Sequence, residues 1–288
     1  MNTPLYDSTR QRDVLPFFLA IVRGRELLMD LVRKDLRARY RYTALGFLWT
    51  IFQPLALMII LTFVFKYVIR LEAAVDSVGN NREFAVTLLC GLIFWQFFAE
   101  AINNATHSML ENQNLINKTR LPREVIPLAA MGYPLVNCSI GFLLLVALHL
   151  FFGGALSLAL LWLPAIFGIQ LLLVIGLGFF LSCTNVIYRD VGYIVGVALL
   201  FGFYASPIFY ELPAVLQATE SGNMPSWMAY AYLMNPLAEL FTAYRQILFE
   251  SRFPDWSMLI WPVLCACGAL LIGVITFRKQ AATLSDHL

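Results

Sequence analysis

The chain has 288 residues, of which 60% are hydrophobic and 13% charged, with a formal net charge of +2. A soluble domain is about 45–50% apolar and about 25% charged, so this composition excludes an ordinary soluble fold and points to lipid. The small net charge also excludes a nucleic-acid binder, which needs a marked basic excess.

Residues 1–22 begin polar and carry no cleavable secretory signal, and they read as a cytoplasmic tail. Residues 23–42 (RGRELLMDLVRKDLRARYRY) have helical periodicity. Glu26, Asp30, Arg33, Lys34, Arg37 and Arg41 share one face, and Leu28, Leu31, Val32, Leu36 and Tyr40 another. Asp30–Lys34 and Asp35–Arg39 are spaced as supporting i,i+4 pairs. A cationic amphipathic helix over 23–44 reads as lying flat in the inner interface, with a solvated helix of a small cytoplasmic cap as the alternative.

Six stretches reach the roughly 20 apolar residues needed to cross hydrocarbon. They lie at about 45–69, 84–106, 125–151, 156–183, 191–209 and 256–277. Runs of this length are helical, because lipid leaves no partner for an unpaired backbone group. The fold expected is therefore all-α: a polytopic membrane protein with a six-span domain over 45–277.

The connections are short. Residues 107–124 include Ser108 and Glu111 at capping-box spacing, then Pro122 and Pro127 around the start of the third span. Asn185–Asp190 is a turn, with Asp190 placed to cap the fifth span. The segment 207–255 is mildly apolar but broken by five prolines. Its part 227–249 is nearly long enough to span, yet a seventh crossing would put Arg278 and Lys279 outside. Glu239, Arg245 and the central Asn235-Pro236 also argue against a lipid-facing rod. The segment reads as two half-helices dipping in from outside, with a peripheral amphipathic helix as the alternative. Residues 278–288 are a cytoplasmic tail.

Orientation follows the cations. With the N-terminus inside, about fifteen Lys and Arg fall in cytoplasmic segments and four (Arg70, Arg82, Arg245, Arg252) outside. Lys66, near the outer end of the first span, can snorkel to the interface.

No chemistry of bond-making is evident. The four lysines (Lys34, Lys66, Lys118, Lys279) follow no glycine, so the chain has no Gly-Lys-Ser/Thr phosphate loop. HExxH and GxSxG are missing too. The five cysteines lie in apolar runs and read as small buried hydrophobes, and the three histidines are scattered, so neither a catalytic residue nor a metal ligand is assigned. A channel, an ion-coupled carrier, or the membrane half of a machine with a separate motor remains. A membrane-embedded enzyme acting on a lipid-linked sugar would need clustered acids or histidines. Ion coupling would rest on Glu100, with Gln96 one turn before it, but Gln53, Gln96, Glu100 and Asn137 read more simply as polar glue between helices. Trp49 and Phe52 in the first span, and Phe201, Phe203, Tyr204, Phe209 and Tyr210 about the fifth, could line an aromatic path for a glycan, or belong to interface belts.

Five motifs in order carry a resemblance: LVRKDLRARYRYTALGFLWTIFQPL (31–55), NKTRLPREVIPL (117–128), NVIYRDVGYIVGV (185–197), ASPIFYEL (205–212) and NPLAEL (235–240). Together they resemble the membrane subunits of type-2 ABC exporters that move O-antigen, capsule and teichoic-acid polymers. Residues 1–22 and 213–226 have no counterpart in the resemblance.

It implies a permease in the bacterial cytoplasmic membrane that works as a homodimer with two ABC ATPase subunits, which bind ATP and Mg in its place. The substrate implied is a lipid-linked glycan. Residues 23–42 would dock on the ATPase, 108–123 would hold a coupling helix, and Asn185–Asp190 would be a second contact. The residues so implicated in coupling are Arg33, Lys34, Arg37, Arg41, Leu115, Lys118, Arg120, Arg123, Arg189 and Asp190. Trp49, Phe52, Phe203, Tyr204, Phe209 and Tyr210 would line a channel between two copies. The segment 210–248, with Asn235, Pro236 and Glu239, would form an outer gate.

Overall fold

A computed structural model describes residues 22–68, 84–118, 121–210, 215, 219, 221–222 and 225–281. The tail before residue 22, Arg120, the side chain of Lys66, much of 211–224 and the end after 281 lie outside the described residues. Among the described residues every regular element is helical.

Helix α1 (Arg25–Tyr40) precedes the spans and carries Arg33, Lys34 and Arg37 on its exposed side. Its apolar side meets the protein, with Leu31 buried and packed with Val125 and Ala129. Asp30 pairs with Arg33 at 3.8 Å rather than with Lys34. The chain then turns through Tyr42 and Gly46, both with positive φ (79° and 49°). A short 3₁₀ turn (Gly46–Leu48) leads into α2 (Trp49–Thr62), which ends in a π-helical turn (Phe63–Val68).

Helix α3 (Phe84–Glu111) is the centre of the bundle: 72% of its most apolar stretch is buried by other helices, against 11% for the first span. It runs to Glu111, beyond the expected end at 106. Ser108 therefore lies inside the helix, where its hydroxyl donates to Ala105 O (2.7 Å), and the expected capping box does not form. The short α4 (Gln113–Lys118) follows, then α5 (Val125–Ala130) and α6 (Gly132–Phe151), which share the third expected span with a break at Met131.

A 3₁₀ turn (Leu158–Trp162) precedes α7 (Leu163–Ile187), which is followed by α8 (Asp190–Ala205). Helices α9 (Ser226–Leu233) and α10 (Pro236–Phe249) follow, and α11 (Trp256–Ala281) closes the chain.

Among the described residues five helical stretches are long and apolar enough to cross a membrane: Gly46–Phe65, Phe84–Glu111, Val125–Phe151, Leu158–Ile187 and Trp256–Gln280. They coincide with five of the six expected spans, and the chain is an integral membrane protein. The remaining stretch, expected at 191–209, is a 16-residue helix ending at Ala205. At 1.5 Å per residue it is about 24 Å long, short of the roughly 30 Å of hydrocarbon. The reason is Pro207. The residue before a proline is pushed out of the helical region, and Ser206 is extended (φ −106°, ψ 150°).

Helices α7 and α11 touch backbone to backbone. A Cβ on Gly176 would sit 2.3 Å from the Leu270 amide nitrogen, and one on Gly273 would sit 2.1 Å from the Gly176 carbonyl oxygen. Small residues at such crossings allow the close packing that holds helices together in lipid, where the hydrophobic effect between helices is lost. Gly273→Val should therefore force the pair apart. The expected result is a clear drop in the fraction of detergent-extracted protein that stays monodisperse on size exclusion, while Gly268→Ala, in open space, leaves it unchanged.

Candidate functional site

One end of the bundle brings α1, α4 and α5 together. Leu115 of α4 packs with Leu27, Leu28 and Val32 of α1 against Val125 and Ala129 of α5. A side chain on Gly132 would collide with Val32, so α1 is seated directly on the start of α6. The Arg39 guanidinium lies 4.0 Å over the Tyr133 ring and donates to Asn104 Oδ1 (3.3 Å), tying α1 to α6 and α3.

Around this seat Arg33, Lys34, Arg37, Arg41 and Lys118 are exposed, and Arg123 is half-buried. Arg189 and Asp190 are also exposed. Burial pushes the Asp35 carboxyl above its usual range, with Lys34 and Arg39 pulling it back. Glu124, buried beside the start of α5, is likewise raised by burial, against the opposing pull of its own backbone hydrogen bond, Arg123 and Arg278.

Asp190 does not cap α8. It occupies the first turn, and the capping oxygen comes from Asn185, whose Oδ1 accepts the Gly192 N–H (3.0 Å). The same amide donates from Nδ2 to Thr106 O of α3 (3.0 Å). One buried side chain thus joins α3, α7 and α8 where α7 gives way to α8. Sequence reasoning placed Asn185 in a contact loop; its role as a helix cap was legible only in retrospect, from an Asn set a few residues before a new helix.

The polar residues of the span interiors converge. Gln53 of α2, Gln96 and Glu100 of α3, Asn137 of α6 and Tyr40 of α1 line one cavity of about 50 Å³. The Tyr40 hydroxyl donates to Asn137 Oδ1 (3.2 Å) and lies 2.6 Å from the Thr50 hydroxyl. Tyr40, Thr50 and Asn137 thus form a hydrogen-bonded joint between α1 and the spans, beside the cavity that Gln53, Gln96 and Glu100 line.

The candidate channel aromatics fall into two groups. Trp49 and Phe52 are exposed and meet edge to face at the N-terminal end of α2 (5.5 Å). Phe203, Tyr204 and Phe209 cluster at the C-terminal end of α8, with ring centroids 5.0–6.2 Å apart. Phe65, on the π-turn of the first span, stacks on Phe209 (4.9 Å) and links the two helices. Phe209 is buried and backs the surface rather than forming it. Tyr204 is exposed, and its carbonyl accepts the Tyr210 hydroxyl (3.0 Å). Beside this cluster runs an apolar groove of about 1230 Å³ between α3, α7, α8, α9 and α10, lined by Trp95, Phe98, Leu181, Ile194, Phe201, Tyr204 and Trp227 among others.

The broken outer segment packs on the bundle. Helices α9 and α10 are separated at Met234–Asn235, and Pro236 opens α10. Asn235 Oδ1 accepts the Leu237 N–H (3.0 Å), while its Nδ2 donates to Ser206 Oγ (3.0 Å) and Ala205 O (3.3 Å) at the end of α8. Glu239 sits half-exposed in the first turn of α10, where the helix dipole favours an acid. Trp261 of α11 donates to Met234 O (2.9 Å).

Nine of the fourteen residues of α10 are buried, including Tyr244 and Arg245. Tyr244 stacks on Phe94 (3.7 Å, 6° between planes) and donates to Gln170 Oε1 (2.7 Å); Gln170 Nε2 donates in turn to Phe94 O (2.9 Å). Arg245 was counted from the sequence as an outer-segment charge. It is 4% exposed, donating to Ile208 O (2.9 Å) and Tyr210 O (2.8 Å). Gln170 and Arg245 escaped the sequence reading of function, although each is a polar side chain in an apolar stretch, the signal that marks a paired group. Among the described residues no three of His, Cys, Asp and Glu gather to hold a metal.

Residues 26–249 match the model of the ABC-2 type transporter family. The chain is 29% identical over 248 residues to the O-antigen export system permease protein RfbA of Myxococcus xanthus, covering 86% of this chain and 89% of that protein. It is 29% identical over 257 residues to a protein of the same name from Klebsiella pneumoniae, covering 88% and 92%. The polysialic acid transport protein KpsM of Escherichia coli is 22% identical over 254 residues, covering 86% and 90%.

Asn185→Leu removes one buried cap and one interhelical hydrogen bond together. Interhelical bonds in membranes are each worth about 0.6–1.7 kcal/mol, so the thermal midpoint of purified protein should fall by several degrees. An unchanged midpoint would show that Asn185 holds nothing together.

Proposed function

Since this chain belongs to the ABC-2 type transporter family, we propose that it is the membrane permease of an ATP-driven exporter of a lipid-linked polysaccharide, of the O-antigen or capsule type. The observation that carries the reading is the near full-length match to relatives named for O-antigen and polysialic acid export, on a fold with an amphipathic cationic helix at one end and a helix-broken segment at the other. ATP and Mg belong to a separate ATPase subunit in this reading, and two copies of each chain make the working unit.

In this scheme α8 is the sixth crossing, its short helix extended by Ser206–Tyr210, and both termini face the cytoplasm of the bacterial cell. The cation distribution supports that orientation. The pair α9 and α10 enters the membrane from outside as a gate; the burial of α10 supports a protein-shielded position over a peripheral one. Helices α2 and α8 face the second copy. Both leave large apolar side chains uncovered in the single chain, with Trp49 and Phe52 on one and Tyr193, Val197, Phe201 and Tyr204 on the other.

The mechanism follows from the inner contacts. Closure of the ATPase pair presses on Arg33–Arg41 and on Leu115–Arg123. Because α1 is seated on α5 and α6, and Arg39 and Tyr40 bond to α3 and α6, a push on α1 reaches the spans without first bending a loop. A push at Arg189–Asp190 acts on the start of α8, which Asn185 ties to α3. The parted spans admit the glycan, whose sugar rings pass over the exposed aromatic faces.

Two experiments test the scheme with the ATPase partner co-expressed. Charge reversal at Arg33 and Arg37 places like charges across the docking surface, which costs several kcal/mol. Polymer at the cell surface should fall about tenfold or more while the protein level is unchanged. Export at the original rate would remove α1 from the docking surface. Tyr204→Ala should slow export several-fold with the complex still assembled; unaltered export with Phe203→Ala and Tyr210→Ala as well would rule out an aromatic path.

A further inference from the structure

Arg245 has a place in the fold that neither the family match nor the coupling scheme accounts for. It is a charged side chain on α10, 4% exposed, in a helix with nine of its fourteen residues buried. Burying a charge is costly unless strong hydrogen bonds replace water. Here the replacement includes two backbone carbonyls, Ile208 O at 2.9 Å and Tyr210 O at 2.8 Å. Both lie in the non-helical stretch after Ala205, where Pro207 has ended α8. A guanidinium is suited to this, because its rigid fork can reach two acceptors at once.

The fit around it is close. A Cβ on Gly91 of α3 would stand 3.1 Å from Ile208 and 3.4 Å from Arg245 Nη2, so α3 presses the stretch against the arginine. One residue away, Tyr244 fixes the same half-helix to α3 and α7 through Phe94 and Gln170. At the other end of α10, Asn235 bonds to Ala205 and Ser206. The half-helix is therefore held to the end of α8 at both of its ends, and Arg245 supplies the charged contact.

We propose that Arg245 is a positioning residue that makes the end of α8 and the half-helix α10 one rigid body. A movement of α8 is then delivered to the outer segment, and the surface formed by Tyr204 and Tyr210 keeps its shape while it moves. The tie itself stands on the geometry; its consequence for export rests on the transport reading above.

The test uses the full chain in membranes with its ATPase partner. Cys265 and Cys267 are changed to Ala, and a single reporter cysteine replaces Tyr210. Labelling by a membrane-impermeant maleimide is then timed with Arg245, Arg245→Lys and Arg245→Gln. Labelling should run about tenfold faster with Gln, the ratio expected for a loss of about 1.4 kcal/mol, and to a smaller degree with Lys, which offers a point charge in place of a fork. Equal rates in all three would overturn the tie. If the Gln variant does not accumulate, the Lys variant decides, and labelling at the original rate overturns the proposal. In a chain that retains Tyr210, Arg245→Gln should lower polymer exported per ATP hydrolysed with ATP hydrolysis retained; an unchanged ratio would overturn the delivery of movement. Should the unsubstituted complex export no polymer, the transport reading fails, and the labelling rates still judge the tie.

Discussion

A helix in lipid satisfies its own backbone, and a chain that leaves the helix must find other donors for the carbonyls it releases. At the C-terminal end of α8, Pro207 imposes that departure. The carbonyls of Ala205, Ile208 and Tyr210 meet Asn235 and Arg245, both from the broken outer segment. The two irregular regions thus complete each other. The break at Asn235-Pro236 frees the asparagine to cap one helix and bond to the end of another, and the half-helix it starts brings the arginine into position. A continuous helix through 227–249 would satisfy itself and leave the end of α8 bare.

Much of the fold was legible because hydropathy and helix length are the same statement in a bilayer. Five spans were located within a few residues, and the amphipathic phase of α1 predicted which side would be buried. The proline and asparagine at 235–236 announced the break between α9 and α10. What escaped was anything set by a partner distant in sequence. Ser108 and Glu111 have the spacing of a cap but lie inside α3, because tertiary packing carries that helix a further turn. Asp190 has the chemistry of a cap and lost the role to Asn185, which reaches Gly192 from the preceding helix. Arg245 argued from the sequence against a lipid-facing rod, and its burial agrees, but its acceptors at Ile208 and Tyr210 could not be read from it. The candidate channel residues were grouped by residue type, whereas the fold divides them between the N-terminal end of α2 and the C-terminal end of α8.

The polar side chains of the interior serve a common purpose. Gln53, Gln96, Glu100 and Asn137 line one cavity with Tyr40, while Gln170 and Tyr244 meet elsewhere in the bundle. Each group joins elements that apolar packing alone would leave free to slide, since side chains in lipid gain little by choosing one apolar neighbour over another. Glu100 belongs to the first group, next to Arg39 on α1. Its surroundings are those of a joint between helices, which is a simpler account of a membrane carboxyl than ion coupling.

The glycine contact between α7 and α11 makes one edge of the bundle unlike the other. With Gly176 and Gly273 backbone to backbone, neither helix can shift by a fraction of an ångström without collision or a void. A single added methyl at that crossing meets backbone, whereas the bare outward sides of α2 and α8 leave room for large side chains, so the two edges of the bundle differ in the substitutions they tolerate.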